Sequence, residues 1–297
     1  MHLLVFGRNG QVGHELQRRL PSGVTVTALD RSTVDITRRD DVARAIAAAG
    51  CNVVVNAAAH TAVDQAESEP EAAFAANADG PAFMAEACAA GGLPLIHIST
   101  DYVFDGSKVG AYTEDDPTAP LGVYGNSKAA GEQAVRERLP EHVIVRTSWV
   151  FSAHGKNFVK TMLRLGTERD ALRIVADQTG CPTAAADIAH AVLAIARQVA
   201  DRPAGTPWGT YHYCGAERTT WHGFAQAVFD LRQELTGQPN PRLDAIRTED
   251  YPTPTRRPMN SEMDCRRIAQ AFGIVAPNWR RSLSEVMHEL LNTPTRS

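Results

Sequence analysis

Tyr124 and Lys128 stand four residues apart in the run Tyr124-Gly125-Asn126-Ser127-Lys128. On a helix, that spacing puts both side chains on one face. A phenol has a reference pKa of about 10, too high for easy proton exchange near neutrality. An ammonium beside it favours the phenolate and lowers that value. The tyrosine then becomes a general acid or base for carbonyl–alcohol interconversion. A third group stands in Ser99-Thr100-Asp101-Tyr102, just past an apolar run. A hydroxyl at the carboxyl end of a parallel strand faces the ligand crevice and can donate to a substrate carbonyl. Thr100 is preferred to Ser99 for this role. The Tyr–Lys spacing is common by itself, so its meaning rests on what else the chain carries.

A hydride source is the next requirement. Gly7-Arg8-Asn9-Gly10-Gln11-Val12-Gly13 lies between an apolar run at 3–6 and a helix expected from Gln11. Glycines there permit a tight turn and bring a pyrophosphate against backbone N–H groups at a helix N-terminus. The spacing is GxxGxxG rather than GxGxxG. Its place between strand and helix favours a bound dinucleotide over an ordinary turn. Gly7, Asn9, Gly10, Gln11, Val12 and Gly13 are therefore candidate cofactor contacts. Asp30 closes the second expected strand, where an acidic residue accepts from the adenosine ribose. Arg31 follows it, and Arg8 lies in the loop. Either guanidinium can hold a 2′-phosphate, or be an ordinary surface arginine. Asp30 points to NADH and the arginines to NADPH. The expectation is use of both, with some NADPH preference. Asp35 can accept from the adenine amino group while Ile36 packs on the ring, or the stretch 35–40 opens a helix. The small residues Ala57, Ala58 and Ala59 let a flat cofactor lie against backbone.

The elements that must hold these groups alternate between apolar runs and longer helical stretches. Strands are expected at 3–6, 24–29, briefly just before Asp35, and at 53–55, 95–98 and 143–145. Helices are expected at 11–20, 40–49, 71–90 and 127–138, and later at 184–199, 221–235 and 282–291. Near-continuous apolar strands alternating with helices predict a parallel sheet covered on both faces. The fold class is α/β: a Rossmann-type doubly wound parallel sheet with a smaller C-terminal α/β substrate-binding domain. Residues 1–150 form the NAD(P)-binding domain, completed by a helix and strand within 184–214. Residues 151–183 and 215–297 form the sugar-nucleotide-binding domain.

The composition removes several classes of function. With 297 residues, 43% hydrophobic and 22% charged, the chain is that of a globular protein with a sizeable core. Its net charge of −4 and lack of a basic stripe argue against nucleic acid. No apolar run reaches the roughly 18–20 residues of a membrane span. The run at 3–6 is too short for a secretory signal. The 5 cysteines are scattered without a CxxC, as expected of reduced thiols in a cytoplasm. No HExxH or Cys/His cluster occurs among the 10 histidines, so no metal site is assigned.

Further runs complete the pattern: NAAAHTAVD at 56–64, STDYVFDG at 99–106, RTSWVF at 146–151, DQTGCPT at 177–183 and RPMNS at 257–261. Together with the glycine loop and Tyr124 to Lys128, they resemble the extended short-chain dehydrogenases/reductases. Within that superfamily, the resemblance is to the dTDP-4-dehydrorhamnose reductase family, over most of the chain. It implies that a nicotinamide delivers hydride to C4 of a 4-keto sugar and that Tyr124 donates a proton to the developing alkoxide. It also implies that Lys128 binds the nicotinamide ribose and lowers the Tyr124 pKa, while Thr100 polarises the keto oxygen. Asp101, Tyr102 and Trp149 would line the sugar pocket, Thr61 and Val63 would meet substrate, and Asn157 would approach the nucleotide. Related dehydratases carry Asp-Glu after the strand-end threonine. Here the pair is Asp101-Tyr102, which leaves elimination without its base. Reduction of dTDP-4-dehydro-L-rhamnose to dTDP-L-rhamnose remains. An epimerase uses the same Tyr and Lys, and a sister reductase makes another C4 epimer. The chain is also similar to the catalytically silent regulatory β subunit of methionine adenosyltransferase. Gln11 and the lack of an N-terminal extension favour the enzyme.

Other groups receive plainer readings. His60 is expected to be packed rather than catalytic. Glu67, Glu69 and Glu71 read as an acidic helix N-terminal face. Some relatives hold a metal with clustered glutamates at a subunit interface, so Mg2+ stays possible but unassigned. Glu114-Asp115-Asp116 reads as a solvated loop. Arg257 is a candidate diphosphate clamp through bidentate pairing, beside a surface Arg256. Asp177-Gln178 supports the pocket. The expected partner is a sugar nucleotide, with no nucleic acid and no membrane, for a cytoplasmic monomer or homodimer.

Overall fold

Leu3, Leu4, Val5 and Phe6 are all buried, because β1 (His2–Phe6) sends successive side chains to opposite faces of a sheet covered on both. This is seen in a computed structural model of the chain, which describes residues 1–292. The elements that follow are α1 (Gln11–Arg18), β2 (Thr25–Leu29), α2 (Arg39–Ala48) and β3 (Val53–Asn56). Next come α3 (Val63–Ser68), α4 (Pro70–Phe74), a π-helical turn at Ala75–Asp79 and α5 (Gly80–Gly91). Then come β4 (Leu95–Thr100), α6 (Val123–Arg138), β5 (His142–Thr147), α7 (Phe158–Glu168) and α8 (Ala185–Val199). The chain closes with a strand at Gly209–His212, α9 (Trp221–Thr236), α10 (Arg266–Phe272) and α11 (Trp279–Asn292).

The central sheet has six parallel strands in the order Gly209–His212, β5, β4, β3, β1, β2. Leu3 and Val5 join a core with Leu16 of α1, Val192 of α8 and Ile268 of α10. Leu4 and Phe6 join the opposite core with Ile46 of α2, Met84 of α5 and Val135 of α6. The fold is thus the Rossmann-type doubly wound sheet. A separate core gathers Val159 of α7, Phe224 and Phe229 of α9, and Trp279 and Leu283 of α11. It also contains Leu172 and Ile174, whose strand Ala171–Val175 pairs with Arg242–Ile246 in parallel. Among the described residues, no helix is long and apolar enough to cross a membrane.

Four local expectations change. First, no strand precedes Asp35. The Asp30 carboxylate instead accepts from the N–H of Ser32 and Thr33, and Asp35 accepts from Thr37, so the chain turns twice. The helix then starts at Arg39 rather than within 35–38. Second, β4 runs to Thr100, so Thr100 ends the strand rather than following it. Third, α6 begins at Val123, four residues before the expected 127, and carries both Tyr124 and Lys128. Its extended N-cap, Gly122, has no capping side chain, and Glu67 supplies an acceptor to Val123 N at 2.9 Å instead. Fourth, the stretch at 71–90 is not one regular helix but is interrupted by the π turn.

Candidate active site

The carboxyl ends of the central strands open into a crevice of about 950 Å³. Gly7, Asn9, Gly10, Gln11 and Val12 line it, and so do Asp30, Arg31, Asp35 and Ile36. Gly7 has φ +96°, and a Cβ there would come within 2.6 Å of the Ala57 and Ala58 backbone. A Cβ on Gly13 would lie 2.1 Å from the Gly7 carbonyl oxygen. Gly13 therefore lies behind the crevice, where it lets α1 pack on the loop, and is not itself a lining residue. The α1 N-terminus has no side-chain cap. Its open N–H donors suit an anionic diphosphate, so the loop fits a dinucleotide.

The ribose end is already ordered. Ser32 and Thr33 converge on one oxygen of Asp30, and Asn9 donates to the other at 3.2 Å. The Ser32 hydrogen bond is the main cause holding the Asp30 carboxyl down at about 2, against burial, with Thr33 and Asn9 adding to it. Arg31 is exposed and reaches Asp35 at 3.6 Å. Arg8 is exposed and lies outside the lining. Ala57, Ala58 and Ala59 form the expected small-residue wall.

Tyr124 and Lys128 occupy successive turns of α6, both buried, and share the crevice with Thr100. The Lys128 ammonium donates to the Ile98 carbonyl at 2.7 Å. Burial lowers its pKa to about 8, with the Glu132 carboxylate pulling upward. The expected lowering of Tyr124 by Lys128 does not occur. Burial, the largest influence, pushes the phenol up; the hydrogen bond with Thr100 lowers it, while Asp101 and Tyr102 raise it. A neutral phenol is the form that a proton donor needs, so this environment suits reduction. Thr100 donates to Asp101 at 3.1 Å and accepts from the Tyr102 N–H at 3.2 Å. Burial raises Asp101 to about 6, against hydrogen bonds from Ser261 and Thr100, and its second oxygen has no partner within the protein.

One residue that the sequence reading missed anchors this group. Glu132 continues the same helix face, four residues past Lys128. Its carboxylate accepts from Ser99 Oγ at 2.6 Å, from Arg146 Nε at 2.9 Å and from a terminal Arg146 nitrogen at 2.7 Å. Arg136 adds a contact at 3.1 Å from the helix's next turn. Burial raises Glu132, but the hydrogen bond and charge of Arg146 and the Ser99 bond leave it lowered overall. The ion pair ties α6 to β4 and β5, and so sets where Tyr124 and Lys128 stand against Thr100. A second tie is Asn77, buried in the π turn. It accepts from His60 N at 2.8 Å and donates to His60 O and Ser127 Oγ, both at 3.0 Å.

The far wall carries the predicted substrate residues. Thr61, Val63, Asp101, Tyr102 and Trp149 line the crevice. Trp149 has φ +48° and stacks on Trp221 with ring centroids 3.5 Å apart. A Cβ on Gly180 would strike its indole at 2.4 Å, so the DQTGCPT glycine leaves room for that ring. Arg257 falls outside the lining and reaches it through Tyr102, donating to Asp64 at 2.6 Å and to the Tyr102 hydroxyl at 3.0 Å. Asn157 falls outside the lining. Its amide is taken up in capping α7 and in a 3.1 Å bond to Gln11. His60 lines the crevice with its Nδ1 buried and unpartnered within the protein. Lys156 and Gly155 also line it, from a loop whose sequence carried no clear signal.

Other groups depart from their plain readings. The Glu114 side chain is 4% exposed rather than solvated: it accepts from His212 N at 2.9 Å and pairs with Arg267 at 3.5 Å, while Asp115 also meets Arg267. Glu67 reaches α6 and Thr255, so it is not merely an acidic face. Asp177 and Gln178 fall outside the crevice lining, and Asp177 accepts from Thr248 Oγ1 at 2.7 Å. The neighbours His14 and Glu15 and the distant His154 place one metal-ligand atom each within 4.8 Å of one another. Arg18 also reaches His154 at 2.6 Å and Glu289 at 2.8 Å there.

The model of the RmlD substrate binding domain family matches residues 1–292. A dTDP-4-dehydrorhamnose reductase of Sinorhizobium fredii (strain NBRC 101917 / NGR234) is 46% identical over 291 residues, covering 98% of each chain. Among solved structures, a dTDP-4-dehydrorhamnose reductase of Clostridium acetobutylicum superposes with a TM-score of 0.91 at 36% identity, covering 99% of this chain and 100% of that one. One from Bacillus anthracis str. Ames, in complex with NADP, gives 0.89 at 33% identity, covering 97% and 99%.

Proposed function

The chain belongs to the dTDP-4-dehydrorhamnose reductase family, and on that premise we propose how its own residues reduce the C4 keto group of dTDP-4-dehydro-L-rhamnose. The activity is that of an NAD(P)H-dependent oxidoreductase. The bound dinucleotide supplies a hydride to C4. The glycine loop and the α1 N-terminus would hold its diphosphate, and Asp30 and Asn9 would receive the adenosine ribose. Arg31, exposed beside Asp30, favours a 2′-phosphate and hence NADPH. Asp35 and Ile36 serve the adenine, and Lys128 holds the nicotinamide ribose. Thr100 donates to the keto oxygen and polarises it. Tyr124 gives its proton to that oxygen as the alkoxide forms. The observation that carries this reading is the burial of a neutral Tyr124 one helical turn from Lys128 and beside Thr100, at the mouth of the strands.

Asp101, Tyr102, Thr61, Val63 and Trp149 hold the sugar, and Arg257 clamps the diphosphate after exchanging Asp64 for it. Residues 1–150 with 184–214 serve the cofactor, and 151–183 with 215–297 serve the sugar nucleotide. Five free thiols fit a reducing cytoplasm, where the protein works as a monomer or homodimer. Mixing the purified protein with NADPH and dTDP-4-dehydro-L-rhamnose tests the reading. Absorbance of the reduced nicotinamide should fall with formation of dTDP-L-rhamnose. Absence of turnover at high protein concentration would leave a regulatory subunit instead, and a different C4 epimer would mark a sister reductase.

A pH dependence follows from Lys128. Its ammonium is complete well below its pKa of about 8 and is lost as pH rises through it. Dinucleotide affinity should be flat below about pH 7 and weaken above about 8, by up to about tenfold per unit, because binding uses the protonated form. Nicotinamide fluorescence titrations across that range measure it. A level profile to about pH 10 would deny Lys128 this part.

A further inference from the structure

Three cysteines that lie far apart in sequence meet behind the substrate wall. Cys181 stands in the turn of DQTGCPT, Cys214 follows the strand Gly209–His212, and Cys265 is the N-cap of α10. Cys181 and Cys214 are buried with Met263, and Cys265 is partly exposed at the edge of the same cluster. The sulfurs of Cys214 and Cys265 are 3.7 Å apart, and the Cys214 N–H donates to the Cys265 sulfur at 3.3 Å. Neither thiol faces the crevice, and the reduction described above uses neither.

We propose that Cys214 and Cys265 are a thiol–disulfide exchange site that closes to an intramolecular disulfide in the presence of a low-molecular-weight disulfide. A disulfide needs its sulfurs about 2.05 Å apart. The sulfurs, 3.7 Å apart, need to approach by less than about 2 Å to reach that length. Their roles are unequal. Cys265 is the less buried residue of the two, and its thiol is lowered, chiefly by the hydrogen bond from Cys214. Cys214 is raised by its hydrogen bonds with Cys181 and Cys265 and by burial. Cys265 is therefore the attacking thiolate. It displaces one thiolate from the small disulfide and forms a mixed disulfide. Cys214 then gives up its proton, attacks the Cys265 sulfur and expels the second small thiolate. Two protein thiols are oxidised, and one small disulfide is reduced to two thiols. The new bond closes a loop that carries Arg257 and also Ser261, which hydrogen-bonds Asp101 in the crevice.

The test uses the full chain incubated with oxidised glutathione, alkylated under denaturing conditions with N-ethylmaleimide, and weighed intact. The expected product has lost two alkylatable thiols, carries no glutathione, and yields one cross-linked peptide joining Cys214 to Cys265. Dithiothreitol should restore all five thiols. Cys214→Ser should instead retain a single glutathione on Cys265, and Cys181→Ser should behave as the parent. Buried Cys51 and Cys88 are the internal control. Full alkylation after oxidation would overturn the proposal. So would a stable glutathione adduct on the parent, or a cross-link between any other pair. These outcomes are read on the parent itself and do not depend on how a variant folds.

Discussion

Tyr124→Phe should lower kcat for the keto sugar nucleotide by about 10²–10⁴-fold, the range lost when a positioned general acid is removed. The ring itself should stay in place. It packs with Ala66 and Ala73 and meets Tyr102 edge-on, with centroids 5.5 Å apart, and none of these contacts needs the hydroxyl. Cofactor affinity should therefore stay within about twofold of the parent, and kcat and kcat/KM should fall together, the mark of an interaction used in the transition state. Stopped-flow turnover and a nicotinamide fluorescence titration on the same preparation separate the two effects. Burial keeps the parent phenol protonated far above neutrality, so Tyr124 itself should contribute no alkaline limb to kcat. A variant as active as the parent at every pH would remove Tyr124 from the chemistry.

The second large effect lies beneath the site. Glu132→Ala should cost about 3–5 kcal/mol of folding stability, because it strands the Arg146 guanidinium in the core without its partner. Arg146 is 3% exposed and Glu132 fully buried, so water cannot repair the loss. Against a typical total of about 5–15 kcal/mol, that is a large share. Urea unfolding measures it. Changing both residues, Glu132→Leu with Arg146→Met, should recover much of the loss, since a buried ion pair is not much better than apolar side chains of similar volume. The recovered protein should still bind dinucleotide less tightly, because Ser99 then has no acceptor on α6 to hold Lys128 in place. A loss under about 1 kcal/mol for the single variant, the size of a surface pair, would contradict the anchoring role.

The contrast between these residues explains what could be read from the chain. Tyr124, Lys128 and Thr100 are visible because their meaning lies in local spacing: one helical turn, and one strand end. The glycine loop is visible for the same reason, since strand, turn and helix are contiguous. Glu132 and Arg146 are not visible. A carboxylate on a helix rich in polar residues has the pattern of a solvated face, and only tertiary structure puts it in the core. Glu114 misleads in the same way, because its partner Arg267 is remote in the chain. The missing strand near Asp35 has a local cause. Aspartate side chains bond their own downstream N–H groups and make turns where a short strand is expected just before Asp35. The early start of α6 depended on Glu67, a cap borrowed from another helix. The three converging cysteines likewise needed the fold to meet.

The π turn at Ala75–Asp79 limits how the length of this chain can vary over evolution. It spends one more residue per turn than an α-helix, and that surplus turns Asn77 inward to tie His60 to Ser127. Removing a single residue would restore regular α winding with the helix on either side still in phase, but it would take away the surplus that turns Asn77 inward. Asn77 would leave its knot, and His60 and Ser127 would lose their shared partner. Substitutions can accumulate around this turn one at a time, whereas single-residue deletions cannot. Gaps between relatives should therefore collect elsewhere, as in the exposed stretch from Asp201 to Gly205.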